Sequence, residues 1–468
     1  MNIIIPVITI WALLIIVLAF INVKYSIWLY IAYLILVPNL QFNAFGLQLS
    51  YNLVNIAIIC SYIFKFRIYN QNSKKEKTVL DFSVITPFLF LFLSLLILSI
   101  FADTLPFKVQ FDNIRIAFLK TCIVPFVFWN VAKNDPEFVS NTKKVLIISM
   151  TIAGIYALYL IKLNGSNPYT SFLANYFGSS DIAELYTVFS TRLSFSSAAK
   201  IQSTMMHPMT YAFVLCFLIL IISRDFLIAR KKIYLPILLL FAFNLLISGV
   251  RTGIAALIIG CIYIIIASRK LKLLLLGIIV VSLFYCVIKL DSDVNAIFAS
   301  MIDVSGDKYD MHGSSIPMRL NQLDGTIAEI QQNGFWAGKG YGWTNYYFKT
   351  YGVHPVIGCF ESLIFYALLN SGVLGAICWS IFFLLIFRSN RKHITSKQDV
   401  FLLDAYTIIY ISYAIGTGEY GYLAFFSLFY TLLYADIFSN NKLRVDYDKQ
   451  ESTGYRLISP PISSNTGK

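Results

Sequence analysis

The chain has 468 residues, of which 58% are hydrophobic, 16% aromatic and only 13% charged, and its mean hydropathy is +0.70. So little charge excludes an ordinary soluble domain, whose surface carries roughly twice that share. The 37 Lys and Arg against 24 Asp and Glu leave a net charge of +13, and its distribution along the chain decides what that excess means.

Apolar runs of about 20 residues recur from the first residues onward, each long enough to cross roughly 30 Å of hydrocarbon. Backbone polar groups in lipid must be satisfied within the segment, so these runs are predicted to be helices. The reading gives about thirteen: 3–21, 26–45, 49–66, 80–101, 114–132, 145–162, 204–222, 233–249, 253–267, 273–290, 358–387, 400–417 and 420–438. The first lacks a basic leader and a small-residue cleavage site, so it reads as a retained span. The third is the weakest, being polar at Gln48, Asn52 and Asn55, and a re-entrant segment is the alternative there. The expected fold is therefore an all-α polytopic membrane protein of 12–13 transmembrane helices, forming one domain over 1–438. Residues 439–468 are expected to be a disordered cytoplasmic tail.

Lys and Arg gather in alternate connections, at Lys65–Lys77, Lys133–Lys144, Arg224–Lys232, Arg269–Lys272 and Arg388–Lys397. Together with the tail these hold about 25 of the basic residues, which marks that side as cytoplasmic. The excess charge thus needs no nucleic acid to explain it. Two loops on the opposite side are long, roughly 163–203 and 291–357, and long loops on a packed bundle carry binding or catalysis. No internal repeat is evident, which weakens a transporter reading.

Five features fall on that outer face. Ser248-Gly249-Val250-Arg251-Thr252-Gly253 sets an arginine between two apolar spans, where charge is costly unless it meets an anion or water; snorkelling to headgroups is the alternative. In the second loop, Arg319 opens a predicted helix with Leu320, Leu323, Ile327 and Ile330 on one face; a solvated helix charge is the plain reading. Gly338-Lys339-Gly340-Tyr341-Gly342-Trp343 follows as a glycine-rich turn without the flanking elements of a dinucleotide site. Then come His354-Pro355 and, seven residues after His354, Glu361, a carboxylate at the entrance of a span that must be paired or used.

This pattern resembles the O-antigen ligase and Wzy-type polymerase superfamily. The resemblance rests on the S-G-x-R-T-G junction, the later S-x-x-x-R, the G-x-G-x-G turn, a His followed by an acidic residue, and a G-x-x-G span (Gly372, Gly375). Met206-His207-Pro208-Met209 is similar to a further family element, although Met209 departs from the usual asparagine. The resemblance covers about 190–390. It implies a GT-C-like helical glycosyltransferase of the bacterial inner membrane, facing the periplasm or cell exterior. Its donor would be an undecaprenyl-pyrophosphate-linked oligosaccharide, transferred with inversion and without metal or other cofactor. The pyrophosphate-binding role then falls on Arg251 and Arg319 and the base role on His354, with Glu361 orienting it or replacing it. Arg192, His207, Tyr341 and Trp343 are further substrate-binding candidates. A repeat-unit polymerase of O-antigen or capsule is the favoured function, the ligase to lipid A-core the runner-up, and a lipid-linked oligosaccharide flippase the third. A chain-length regulator and a flippase of the same pathway are the implied partners.

The chemistry is consistent with those roles. Guanidinium forks bind a departing diphosphate bidentately at any physiological pH, and a histidine near neutral pKa suits proton abstraction. Asp291 and Asp293 are the nearest imitation of a metal-binding acidic pair and read as a solvated loop start. The seven cysteines lie mostly within apolar runs without zinc-type spacing and behave as small hydrophobes.

Overall fold

The computed structural model describes residues 4–37, 42–44, 47–49, 51–65, 80–163, 166–177, 200–205, 207–229, 232–269, 316–419 and 421–452. Helices α1 (Ile4–Ile21) and α2 (Val23–Leu36) are followed by a short antiparallel hairpin, β1 (Phe42–Ala44) with β2 (Leu47–Leu49), and by α3 (Tyr51–Phe64). Next come α4 (Thr86–Ser99), α5 (Phe107–Ala132), α6 (Pro136–Lys162) and α7 (Pro168–Phe177). The second half holds α8 (Pro208–Ala229), α9 (Tyr234–Ile247), α10 (Arg251–Ala267), α11 (Ile316–Gln332), α12 (Trp343–Tyr351), α13 (Leu363–His393), α14 (Lys397–Thr417) and α15 (Tyr422–Ser452). The chain is an all-α polytopic membrane protein.

Twelve of the thirteen predicted runs fall on helices, and 273–290 lies outside the described residues. Among the described residues, six helices are long and apolar enough to cross a membrane: α5, α6, α8, α13, α14 and α15. Six others are apolar but shorter, and α2, α3, α4 and α9 have 14 residues each. Such a helix rises only about 21 Å, less than the hydrocarbon thickness. The predicted second run also ends early: α2 stops at Leu36, and part of the remainder forms the hairpin. At the other end, helical backbone continues to Ser452, beyond the boundary expected at 438.

Local chemistry sets the boundaries. Asp135 accepts from Phe138 N at 2.9 Å and Pro136 follows at the first helical position, a strong start for α6. Ser396 and Ser362 cap α14 and α13 in the same way. α5 carries a π-turn at Leu119–Ile123, and buried Asn55 from α3 donates to the Leu119 carbonyl at 3.2 Å. That accounts for one of the polar residues that made the third run look weak.

Helices α8, α14 and α15 form an aromatic centre, with Tyr410 stacked on Phe426 at 4.3 Å and Phe217 on Phe429 at 4.6 Å. α10 lies along α14 through Gly253, Ala256 and Gly260, its only fully buried positions. A Cβ on Gly260 would lie 2.5 Å from Ile409 Cγ1, so small residues are what let these two helices approach. This contact fixes the start of α10, and Arg251 with it, beside the end of α14.

One end of the bundle holds an ion network. Lys143 pairs with Asp225 at 2.9 Å and Asp436 at 3.2 Å, while Arg224 reaches Asp436 at 2.6 Å and Asp399 at 3.2 Å. It ties α6, α8, α14 and α15 together, and the candidate site lies at the opposite ends of α8 and α14.

Candidate functional site

The junction between α9 and α10 is a tight turn. Gly249 adopts φ +67°, Ser248 is buried and donates to Leu245 O at 2.7 Å, and Arg251 becomes the first residue of α10. Arg251 is partly exposed. It therefore stands at the positive N-terminal end of a 17-residue helix, which favours an anion.

Arg319, in the first turns of α11, draws three segments together. Its guanidinium donates to the Glu361 carbonyl, to Glu361 Oε2 at 3.3 Å and to Gly416 O at 3.1 Å near the end of α14. Gln322 Oε1 accepts a further contact at 3.4 Å. Gly416 in turn packs on Thr252, where a Cβ would lie 2.3 Å from Thr252 Cγ2. The two arginine-bearing segments thus meet at Gly416, although 67 residues separate them in sequence.

The glycine-rich turn is docked into a break in α13. Gly372 has φ +66° and ψ −165°, which interrupts the helix. The amides of Val373 and Leu374 donate to Phe335 O and Trp336 O, and Lys339 N donates to Leu369 O at 2.7 Å. The broken helix is therefore satisfied by the turn. On the other side of the turn, buried Gln110 and partly buried Asn113 of α5 hold Tyr341: its N donates to Gln110 Oε1 at 3.1 Å, and its carbonyl accepts from Asn113 Nδ2 at 3.4 Å.

His354 is 8% exposed. Its Nδ1 accepts from Ile357 N at 3.0 Å and Val356 N at 3.2 Å. Nε2 faces Glu329 Oε2 at 3.8 Å, while the other oxygen of Glu329 pairs with Lys339. Tyr347 and Phe360 lie against the imidazole at 5.1 and 6.0 Å. Burial holds its pKa below the ordinary histidine value, with Glu329 opposing that shift and Lys339 adding to it. With Nδ1 accepting, the neutral ring carries its proton on Nε2, so no basic nitrogen faces an open space. His354 folds the loop in this conformation.

The other candidates divide. His207 caps α8, its Nδ1 accepting from Met209 N at 3.1 Å. Met209 O accepts from Tyr413 Oη at 2.5 Å, and Tyr413 also packs beside Gly253, so this element adjoins the Arg251 junction. Trp343 is 5% exposed, with Lys339 over its ring at 4.8 Å and Tyr347 at 5.0 Å. Its faces are used in packing and are not open to a sugar. Arg192 lies outside the described residues, as do Asp291 and Asp293.

Sequence reasoning missed Glu419. It follows Gly416 by three residues, in the short connection between α14 and α15, and its Oε2 accepts from Tyr410 Oη at 2.6 Å. A lone Glu in a tight connection between spans reads as a helix cap, and nothing nearby in sequence marks it otherwise. Glu329 was missed for the same reason, as an exposed-looking position on a polar helix. Among the described residues no group of three or more His, Cys, Asp or Glu could hold a metal ion.

The sequence profile of the O-antigen ligase family matches residues 236–380. The match runs from α9 through the Arg251 junction, Arg319 and the glycine-rich turn into α13, so this part of the chain is similar to the O-antigen ligase family. No curated protein matches the chain.

Proposed function

Starting from a multi-pass membrane protein with a stretch similar to the O-antigen ligase family, we propose that the chain is a polysaccharide repeat-unit polymerase acting at the outer leaflet of the bacterial inner membrane. Arg251 and Arg319 grip the diphosphate of a polyprenyl-linked oligosaccharide. The acceptor sugar hydroxyl attacks the anomeric carbon of the donor, the bond from that carbon to the diphosphate oxygen breaks, and the electron pair leaves on the diphosphate. The hydroxyl proton passes to a carboxylate. Inversion follows from a single displacement, and two fixed guanidinium groups offset the charge that develops on the leaving group.

The observation that carries this reading is the meeting of the Arg251 and Arg319 segments at Gly416. Glu361 is the base in this scheme, because its carboxylate lies at 3.3 Å from the Arg319 guanidinium, whereas His354 has its nitrogens committed within the loop. A diphosphate entering the site competes with Glu361 for Arg319 and frees the carboxylate for proton transfer.

The test uses purified protein in lipid nanodiscs, supplied with lipid-linked repeat unit extracted from cells deleted for this gene. Release of undecaprenyl diphosphate with a ladder of extended chains is expected; no extension by wild-type protein overturns the reading. The matching family is described as O-antigen ligase, and ligation of the finished glycan to lipid A-core is the second reading. A deletion strain separates the two, since loss of a polymerase leaves core capped with single repeat units and loss of a ligase leaves bare core with accumulated lipid-linked polymer.

A further inference from the structure

The glycine-rich turn between α11 and α12 turns an aromatic surface outward. Of residues 334–344, Phe335 and Trp336 are the two that are exposed, at 41% and 62%, and their rings meet edge to face at 5.1 Å. The one charge of the turn is directed inward: Lys339 is buried, paired with Glu329 and set over the Trp343 ring at 4.8 Å. The backbone of the turn is satisfied by protein groups. Gly338 N donates to Gly334 O at 2.7 Å and Trp343 N to Gly340 O at 2.9 Å. Phe335 O and Trp336 O accept from α13, and Tyr341 is held through its N and its carbonyl by α5. Irregular backbone at membrane depth is tolerated when its polar groups find partners in this way, whereas a turn in water has no such requirement.

The docking of the turn on α13 sets its depth. Leu374, whose N donates to Trp336 O at 3.1 Å, lies 14 residues from Arg388, the first basic residue of α13. That length of helix rises about 21 Å, past the middle of a hydrocarbon layer of roughly 30 Å. Between the two, Leu374, Ile377, Ile381 and Leu384 form an exposed apolar stripe, the face that a spanning helix turns to lipid. Trp336 stands at the head of that stripe, joined to it through Leu374 N. On α5, Phe107 and Phe111 are exposed on either side of Gln110, which reaches the turn. Gln331, Gln332 and Asn333, just before the turn, are also exposed. The chain thus passes from polar to aromatic surface within two residues, and aromatic rings gather where headgroups give way to acyl chains.

We propose that Phe335 and Trp336 form a membrane-docking tip on the glycine-rich turn. Its partner is lipid, at the boundary of headgroups and acyl chains in the leaflet opposite Arg388. In the orientation adopted above, that is the outer leaflet. Part of a segment that the sequence placed in an outer loop is thereby seated in the bilayer, beside the break in α13. The inference rests on α13 spanning the membrane and is independent of the glycosyl-transfer reading.

The experiment locates the Trp336 ring by fluorescence quenching of the full chain in nanodiscs of phosphatidylcholine and phosphatidylglycerol. Subtracting the spectrum of Trp336→Phe, which keeps an aromatic ring, isolates the Trp336 component from those of the other tryptophans. In discs of brominated lipid that component is expected to lose most of its intensity. The loss should be greater with bromine near the carbonyl end of the acyl chain than near its methyl end, and iodide in the water should quench little. Quenching by iodide and not by bromine would place the tip in water and overturn the proposal. Quenching by neither would mean that protein covers the tip, either a second copy or residues 270–315 of this chain, and would overturn it equally. Phe335→Trp gives a second reading, since its added component should follow the same pattern. It decides by the same criteria if Trp336→Phe does not fold.

Discussion

Arg319 donates to oxygens on Glu361 and Gly416 at once, a geometry that needs the planar fork of a guanidinium. Arg319→Ala is expected to reduce chain extension by about 100-fold or more, the scale for removing a donor aimed at developing charge. Arg319→Lys should recover little of it, because one ammonium cannot span the same acceptors; the check is the ladder of extended chains at equal protein abundance. His354 gives a pH prediction. Its pKa is depressed in the folded loop by burial, so its contribution to loop stability is fully present above about pH 6.5 and is lost as pH falls through the lower folded value. Amides of Val356 and Ile357, which donate to Nδ1, should therefore exchange faster with deuterium at acid pH after correction for intrinsic rates. His354→Leu should remove that dependence, and unchanged protection in wild type would count against it. The candidate residues were legible in sequence because an arginine or glutamate beside an apolar run must have a reason to be there. The pairing of His354 with Glu329 was not, since it depends on how the intervening turn folds back.

At the scale of elements, the break in α13 carries the most weight. A Cβ on Gly372 would lie 2.4 Å from Trp336 O and 2.5 Å from Gly338 N, both backbone atoms, at a φ of +66°. Gly372→Ala is thus expected to expel the docked turn, at a cost of at least about 1–3 kcal/mol from backbone strain alone. Limited proteolysis should then cut within 334–342 faster than in wild type, with extension lost in parallel. Sequence periodicity treated 358–387 as one uninterrupted span, because a glycine within an apolar run does not announce whether it bends, breaks or packs. The short helices were overlooked for a related reason: hydropathy registers an apolar stretch but not where its backbone leaves the helix, as at Leu36.

Across the whole molecule, the ion network of Lys143, Arg224, Asp225, Asp399 and Asp436 faces away from the site and joins four helices. These side chains are 8–15% exposed, so removing one cation leaves carboxylates with little access to water. Arg224→Ala is expected to destabilise the bundle by about 3–5 kcal/mol, read as earlier thermal unfolding in detergent, while undecaprenyl diphosphate affinity of the folded fraction stays near wild type. Composition made the membrane class plain, and alternating basic connections gave an orientation. Neither could foretell that aspartates far apart in sequence would neutralise those cations within the bundle. The stitched helix also bears on engineering by exchange of parts between related chains. Because the amides exposed at the interruption find their acceptors only in residues 335–336, a transplanted outer loop would leave them stranded, whereas a cassette spanning 334–374 carries donor and acceptor together. Chimeras bounded that way should remain folded, and those cut between turn and helix should not.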